Sequence, residues 1–570
     1  MAFSDFLASA RINRAFVGPL TEALKPVLAL NTIVDILVVV DFNIATVPGE
    51  GFGVGSVIEL IRASKVGCMR FRIDIALRGA GTPAVVVPAD PYAAKYVNFR
   101  FDMQDGAAKV IDRYEQIWCF GFAPNNSGGN SDAPIEAHPT ASTDTELAYL
   151  AKWMKTKKGG LFATGDHDYL GASMCWRMPR IRSMRRWTNA DGVPPIDTPD
   201  RIDTLRPPSP AYEPGWPGGP LALGNGPHQG DLTPQPIDWE PWQRRRISVF
   251  LEKVRPHPVL CHPTLGPIDV MPDHAHEGLC HDTGTIDLDA AYDFGEGKEA
   301  EYPDALNGGP KPEPTVIAYG ATLGSPPYVF SKGPQPARSR FPMISVYDGH
   351  RAGVGRVATD STWHHWFDVN IGDIKAENGD NWAKISRYYI NLASWLSPPG
   401  YTTRCLYFTT FVSHFQTPGF QEYAPRLTAL ELGGVLRRWI VRTYGPCWIT
   451  QSLFDLLDEL RFPYAEIDKI KLPGPWPCLT CPPFELFEDA ILGGLVKGGL
   501  EEAERIKTAM LHGRSPDPIK ADSLRDVLTA GVTPAIQELT KLLGAEHEAV
   551  GEALGLVGRY AVTPERLAKT

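Results

Sequence analysis

The stretch IVDILVVVD, residues 33 to 41, is a short, β-branched and nearly unbroken apolar run. Such a run is how a strand covered on both faces of a parallel sheet reads, and it restricts the chain to folds with helices packed on both sides. The Gly-rich turn PGEGFGVGS follows and leads into VIELIRASK, a helical pattern, so the opening is a βα unit. MRFRIDIAL then alternates as a strand does, and YEQIWCFGF, 114 to 122, reads as another. Residues 144 to 158, DTELAYLAKWMKTKK, have helical spacing, with Asp144 placed as a cap and lysines at the end favoured by the helix dipole. Next comes GGLFATGDHDYLG, an apolar strand running directly into a polar turn. This alternation predicts an α/β fold with a doubly wound, mostly parallel sheet of flavodoxin-like type. Ligands of such sheets sit at the carboxyl ends of the strands, where the turn at 165 to 168 falls.

The 54 glycines and 52 prolines are concentrated rather than spread and mark long irregular loops. Periodicity fails from about 190 to 315, where PPIDTPDRIDTLRPPSPAYEPGWPGGP is turn chemistry, and this reads as a loop-rich insertion over the sheet edge. Regularity returns with PTVIAYGAT, then with FPMISVYDG and VGRVATDS as the two arms of a hairpin. ISRYYINLASWL, 385 to 396, is a helix ended by SPPG. Beyond 400 the segments are helical, among them LTALELGGVLRRWIV and FELFEDAILGGLVKGGLEEAERIKTAML. The expected organisation is a helical N-terminal segment over 1–32, the α/β domain over 33–397, and a C-terminal α-helical domain over 401–570.

Charge and cysteine usage narrow the function. The 56 Lys and Arg against 66 Asp and Glu give a net charge of −10 with no basic run, which argues against a nucleic-acid partner. No stretch is long and apolar enough for a transmembrane helix, and MAFSDFLASARINRAF lacks the apolar core and cleavage site of a signal peptide. Nine cysteines without regular spacing do not form a secreted disulfide framework, so a reduced, cytoplasmic protein is expected. Cys478 and Cys481 make a single CxxC with no second pair, a weak zinc or redox signal.

Four segments pair histidine with carboxylate: Asp166-His167-Asp168, Asp273-His274-Ala275-His276-Glu277, Asp348-Gly349-His350, and Asp360 through His365. This is the ligand set of zinc and related divalent metals, and the set from which a general base and its orienting partner are built. The first segment sits where a strand turns tightly into a helix, which exposes Asp166 or His167 at the top of the sheet; the bland alternative is that Asp166 caps that helix. His274 and His276 fall on one side of an extended chain, with Glu277 adjacent. Asp348 and His350 belong to one end of the hairpin and His364 and His365 to the other, and of the adjacent pair His364 is the one expected to face a site. The glycines at 49 to 55 match neither a Walker A loop nor a dinucleotide fingerprint. Arg177, Arg180, Arg182, Arg185 and Arg186 read as a solvated basic face or as an anion holder.

The buried first strand, the elbow GLFATGDHDYLG and the late strand GRVATDSTWHH together resemble the class I glutamine amidotransferase-like superfamily, nearest to the trehalose-utilisation (ThuA-like) proteins, over about residues 33 to 397. In amidotransferases of this fold the elbow presents a cysteine that a histidine after a late strand activates; His364 matches that histidine. Asp166 and His167 stand where the cysteine would be, and Cys175 lies too far along the helix, so cysteine-dependent glutaminase chemistry is rejected. The resemblance favours a carbohydrate or another small polar metabolite as substrate.

The expected function is a metal-dependent, hydrolase-like enzyme with Asp166, His167 and His364 as catalytic residues. A divalent metal, zinc favoured, would be held by His167, His274, His276, Glu277 and His364. The alternative is a non-catalytic, amidotransferase-like ligand-binding or assembly protein that forms a homo-oligomer through its C-terminal helices.

Overall fold

A computed structural model of the chain describes residues 33–41, 44–124, 138–166, 170–188, 234–246, 252–272, 278–306, 308–321, 340–416, 424–459, 483–512, 529–543 and 545. The apolar run forms strand β1, Ile33–Asp41, and the alternating segment β2, Met69–Arg78. The short β3, Tyr96–Val97, β4, Gln116–Phe120, and β5, Gly160–Thr164, follow, and three strands come after the insertion: β6, Thr315–Ala321, β7, Arg340–Tyr347, and β8, Val357–Asp360. They belong to one 11-stranded sheet. Strands β3, β2, β1, β4, β5 and β8 run parallel in that spatial order, while β7 and β6 continue one flank antiparallel. The structure is therefore mixed α/β with a large, mostly parallel sheet.

The period of two along β1 divides its side chains between two cores. Val34, Ile36, Val38 and Val40 join one face, together with Trp118, Phe120 and Phe162; Leu37 and Val39 join the other with Ile117, Cys119 and Leu161. Helix α1, Gly55–Ala63, covers the first face and α2, Asp144–Thr156, the second. The cap of α2 is Thr143, not Asp144: Thr143 and Glu146 exchange side-chain and backbone hydrogen bonds as a capping box, which leaves Asp144 in the first turn.

After β8 come α3, Asp368–Glu377, and α4, Asp380–Trp395, the latter packed on the same face as α1. The later helices are α5, Tyr401–Gln416, α6, Ala429–Tyr444, α7, Pro446–Glu459, and α8, Phe484–Leu511. Their buried residues, such as Leu432, Ile440, Leu453 and Ile491, run into the core on that face without a break. The insertion is not wholly irregular, because Pro241–Arg246 and Glu252–Pro256 pair as an antiparallel hairpin. Among the described residues no helix is long and apolar enough to cross a membrane.

Candidate functional site

Strands β5 and β8 are neighbours, with Thr164 opposite Asp360 at their carboxyl ends. The chain leaves β5 through a turn that only glycine permits. A Cβ on Gly165 would lie 2.2 Å from the Leu170 carbonyl oxygen, and one on Gly121, just past β4, would lie 2.5 Å from the Gly171 Cα. Gly171 itself has φ +91°, in the left-handed region. Asp166 emerges from this turn buried, at 1% exposure, which corrects the expectation of an exposed elbow residue. It does not cap the helical turn Ala172–Cys175 either, since that turn begins at Gly171 with no side-chain cap.

Asp166 turns instead towards the end of β8. Thr362 Oγ1 donates to its Oδ1 at 2.6 Å, and His364 Nε2 lies 3.6 Å from its Oδ2. The same threonine oxygen accepts the His364 backbone N–H at 3.0 Å and so caps the tight turn Trp363–His365. That turn separates the adjacent histidines. His364 faces Asp166, while His365 Nδ1 lies 2.8 and 2.9 Å from the two oxygens of Asp360. Asp360 also accepts from Trp366 Nε1 at 3.1 Å and Tyr388 Oη at 3.2 Å. It is thereby committed to the core, and Asp166 and His364 form the pair with chemical scope.

Besides Asp166, two side chains hold the imidazole of His364. Trp363 stacks on it at 4.3 Å with an interplanar angle of 8°, and Asn370 Nδ2 lies 3.2 Å from its Nδ1. Trp363 in turn stacks on Phe367 at 4.4 Å, and Phe52, 47% exposed, meets both rings edge-on. The Gly-rich loop before α1 is fixed here as well. Its Gly49 and Ser56 N–H groups donate to the Asp368 carboxylate, so the start of α1 is satisfied by the protein's own acid.

Arg185 is the positioning residue that sequence reading missed. It is buried, and its guanidinium donates to the Asp166 and Ser361 carbonyls at 2.8 Å each and to the Asp360 carbonyl at 3.2 Å. One side chain thus ties the elbow to the end of β8. The arginine cluster is not a solvated face: Arg180 is buried too, Arg177 pairs with Asp144, and Arg182 pairs with Glu301. Cys119 and Cys175 are buried beside the elbow, and burial pushes both thiols up, opposite to what a nucleophilic thiolate requires.

Of the expected site residues, the structure brings Asp166 and His364 together. It places Asp348 and His350 at the far end of the β7–β8 hairpin. His167, His274, His276 and Glu277 lie outside the described residues, as do Asp168, Asp273, Cys478, Cys481 and the segment 1–32. The residue following Glu277 is described: a Cβ on Gly278 would sit 1.8 Å from the Ser361 carbonyl oxygen and 3.0 Å from Arg185 Nη2. The insertion therefore returns to the Asp166–His364 edge. Among the described residues no group of three or more His, Cys, Asp or Glu is arranged to hold a metal ion. No protein-family model matches the chain, and no curated protein or solved structure matches it.

Proposed function

We propose that Asp166 and His364 are the reactive centre of a hydrolase-like enzyme that works with a divalent cation on a small polar substrate, on a sheet of glutamine amidotransferase-like type. The observation that carries this reading is the 3.6 Å separation of Asp166 Oδ2 and His364 Nε2, both buried, at the carboxyl ends of parallel strands. An N–H···O hydrogen bond spans about 2.7–3.2 Å, whereas two ligands about 2.0–2.2 Å from one tetrahedral zinc lie roughly 3.3–3.6 Å apart. Carboxylate oxygen and imidazole nitrogen are also donors that such a cation accepts. The sequence supplies His167 and the His274-His276-Glu277 run as further ligands, and the described flank Gly278 ends against Ser361.

A bound cation of this class lowers the pKa of a coordinated water and polarises a carbonyl or phosphoryl oxygen. Thr362 holds the Asp166 carboxylate in one rotamer. Trp363 and Asn370 fix the plane and the far nitrogen of His364, so that Nε2 is the only ring atom presented to Asp166. The Arg185 guanidinium donates to backbone carbonyls rather than to the Asp166 carboxylate, and through these bonds it keeps the two strand ends at a fixed separation. The exposed ring of Phe52 beside Trp363 gives a substrate an apolar wall to lie against.

Elemental analysis of untagged protein prepared without chelator tests the reading. Near-stoichiometric zinc, manganese or iron is expected, falling at least tenfold in His364→Ala and Asp166→Asn while circular dichroism stays unchanged. A wild-type protein that holds no cation and takes none up on reconstitution, or cation retained by both variants, overturns it in favour of a non-catalytic binding domain.

A further inference from the structure

A strand at the edge of a sheet leaves a row of N–H and C=O groups open to any other strand, and proteins commonly blunt such edges with charge. One end of the 11-stranded sheet follows this rule: at Asp238–Trp239 the acids Asp238 and Glu240 meet Arg340. The other end does not. There the two-residue strand Ala84–Val85 pairs antiparallel with β3, and no strand lies beyond it among the described residues. It belongs to GAGTPAVVVPA, residues 79 to 89, which holds no charged side chain. Every residue from Gly81 to Val87 is exposed, with Val85 at 42%, Val86 at 39% and Val87 at 96%. Three adjacent valines in water on an uncharged edge are the pattern of an interaction surface.

The backbone shows which groups are open. Ala84 and Val85 lie opposite Val97 and Tyr96, and the Val86 N–H donates to the Lys95 carbonyl at 2.9 Å. Residues of an antiparallel ladder alternate between facing the partner strand and facing away. With Val86 turned inward, Val85 and, by the same alternation, Val87 turn their N–H and C=O groups outward. Pro83 and Pro88 bracket the run, so it cannot be extended as a regular ladder on either side.

We propose that two copies of this protein associate through this edge, with Ala84–Val87 pairing antiparallel with itself about a two-fold axis at Val86. In this register Val85 of each copy lies opposite Val87 of the other, and each such pair exchanges both hydrogen bonds, so the outward groups of both residues are satisfied. A register centred on Val85 would instead set Val87 opposite Pro83, which has no N–H to give. Self-pairing about a two-fold axis also brings identical side chains face to face; like charges there would repel, and this run has none. An acidic or basic strand would find no complementary charge here. The contact is smaller than the roughly 1,200 Å² of a standard interface, so the dimer forms and dissociates with concentration.

The test is sedimentation velocity of the full chain over about 1–100 μM, with amide hydrogen exchange at the two ends of that range. The wild type should pass from monomer to dimer. The Val85 and Val87 amides should exchange more slowly at the higher concentration, while that of Val86, already bonded, changes least. Val86→Lys sets two ammonium groups opposite each other and should raise the dissociation constant by about tenfold or more. Lys95, beside Val86 in the sheet, is paired with Asp74 at 2.6 Å. Val86→Glu alone should weaken association in the same way, and an equimolar mixture of the two variants should regain the dimer, a recovery that only pairing of Val86 with itself produces. A wild type that stays monomeric throughout overturns the proposal, and so does a dimer that Val86→Lys leaves intact, which assigns association to another surface. Exchange in the wild type decides the matter even if a variant fails to fold: a dimer whose Val85 and Val87 amides gain no protection does not use this edge.

Discussion

The β7–β8 hairpin carries a histidine and carboxylate segment at each end, and the two ends are built for different tasks. At one end Asp348 meets Arg356, whose Nε and Nη2 lie 2.8 and 3.3 Å from the carboxylate oxygens. The same guanidinium reaches Asp455 of α7 and donates to the Trp395 carbonyl at 2.9 Å. Burial alone would raise the pKa of Asp348, but Arg356 outweighs it and holds the carboxyl well below the usual range. Arg356 is permanently charged and holds Asp348 ionised, so this pair acts as a clamp between sheet and helices. At the other end the partner of Asp166 is the imidazole of His364, a group able to ligate a metal rather than a permanent cation. The residue types read alike in sequence; what differs is the partner across the gap, a permanent cation at one end and an imidazole at the other.

The comparison breaks first at Arg356. This side chain is fully buried, so Arg356→Met leaves Asp348 and Asp455 without their cation, at an expected cost of about 3–5 kcal/mol. Urea unfolding measures the loss, and His364→Gln, which removes no permanent charge, should lose less in the same assay. Equal stability of Arg356→Met and the wild type would mean that this end is no clamp.

A smaller effect sharpens the reacting end. With Asn370 Nδ2 towards His364 Nδ1, the ring proton sits on Nε2 and points at Asp166. The reverse amide orientation puts Oδ1 there to accept an Nδ1 proton, and Oδ1 is buried with no other partner among the described residues. Nε2 then presents a lone pair to a carboxylate, an arrangement that needs a cation between them. Asn370→Ala should therefore weaken cation affinity by about 10–100-fold, whereas Asn370→Asp, which can only accept, should preserve it. Chelator competition reads both. An equal loss in the two variants would argue against Nε2 as a ligand.

Much of this architecture is legible in the chain because β1, β2, β4 and β5 declare themselves through runs and alternation that only burial in a sheet explains. The hairpin is legible for the same reason, and with it the separation of Asp348 from His364. The turn Trp363–His365 is not: neighbouring histidines look equivalent until Thr362 caps the turn and sends them to different carboxylates. Arg185 is hidden because its partners are backbone carbonyls, which leave no mark on sequence spacing. The hairpin strands PWQRRR and EKVRP escape notice because a polar, partly exposed pair shows no apolar period.

The smallest effect lies in the pH response of the clamp, where two groups oppose each other. Burial, with the charges of Asp348 and Asp455, pushes Asp458 up to about 7 from an ordinary 3.8. Its folded form binds more protons than the unfolded chain in that interval, so its contribution to stability is full below about pH 4 and is lost as the pH rises through about 7. His257, buried between Trp242 and Trp395, is pushed down to about 3 from 6.5 by burial, with Arg356 adding to the shift and Asp348 opposing it. Its contribution has the other sign: full above pH 6.5, and lost as the pH falls towards 3. Across the shared interval the slopes offset, and the wild-type melting temperature should change little on their account. Asp458→Asn removes one slope, so its melting temperature relative to wild type should climb by a few degrees from pH 4 to pH 7.5. His257→Gln removes the other, and its difference from wild type should fall over the same range. Two variants whose curves stay parallel to the wild type would separate the carboxylate cluster from the pH response and leave Arg356 as the only charge that matters at this end.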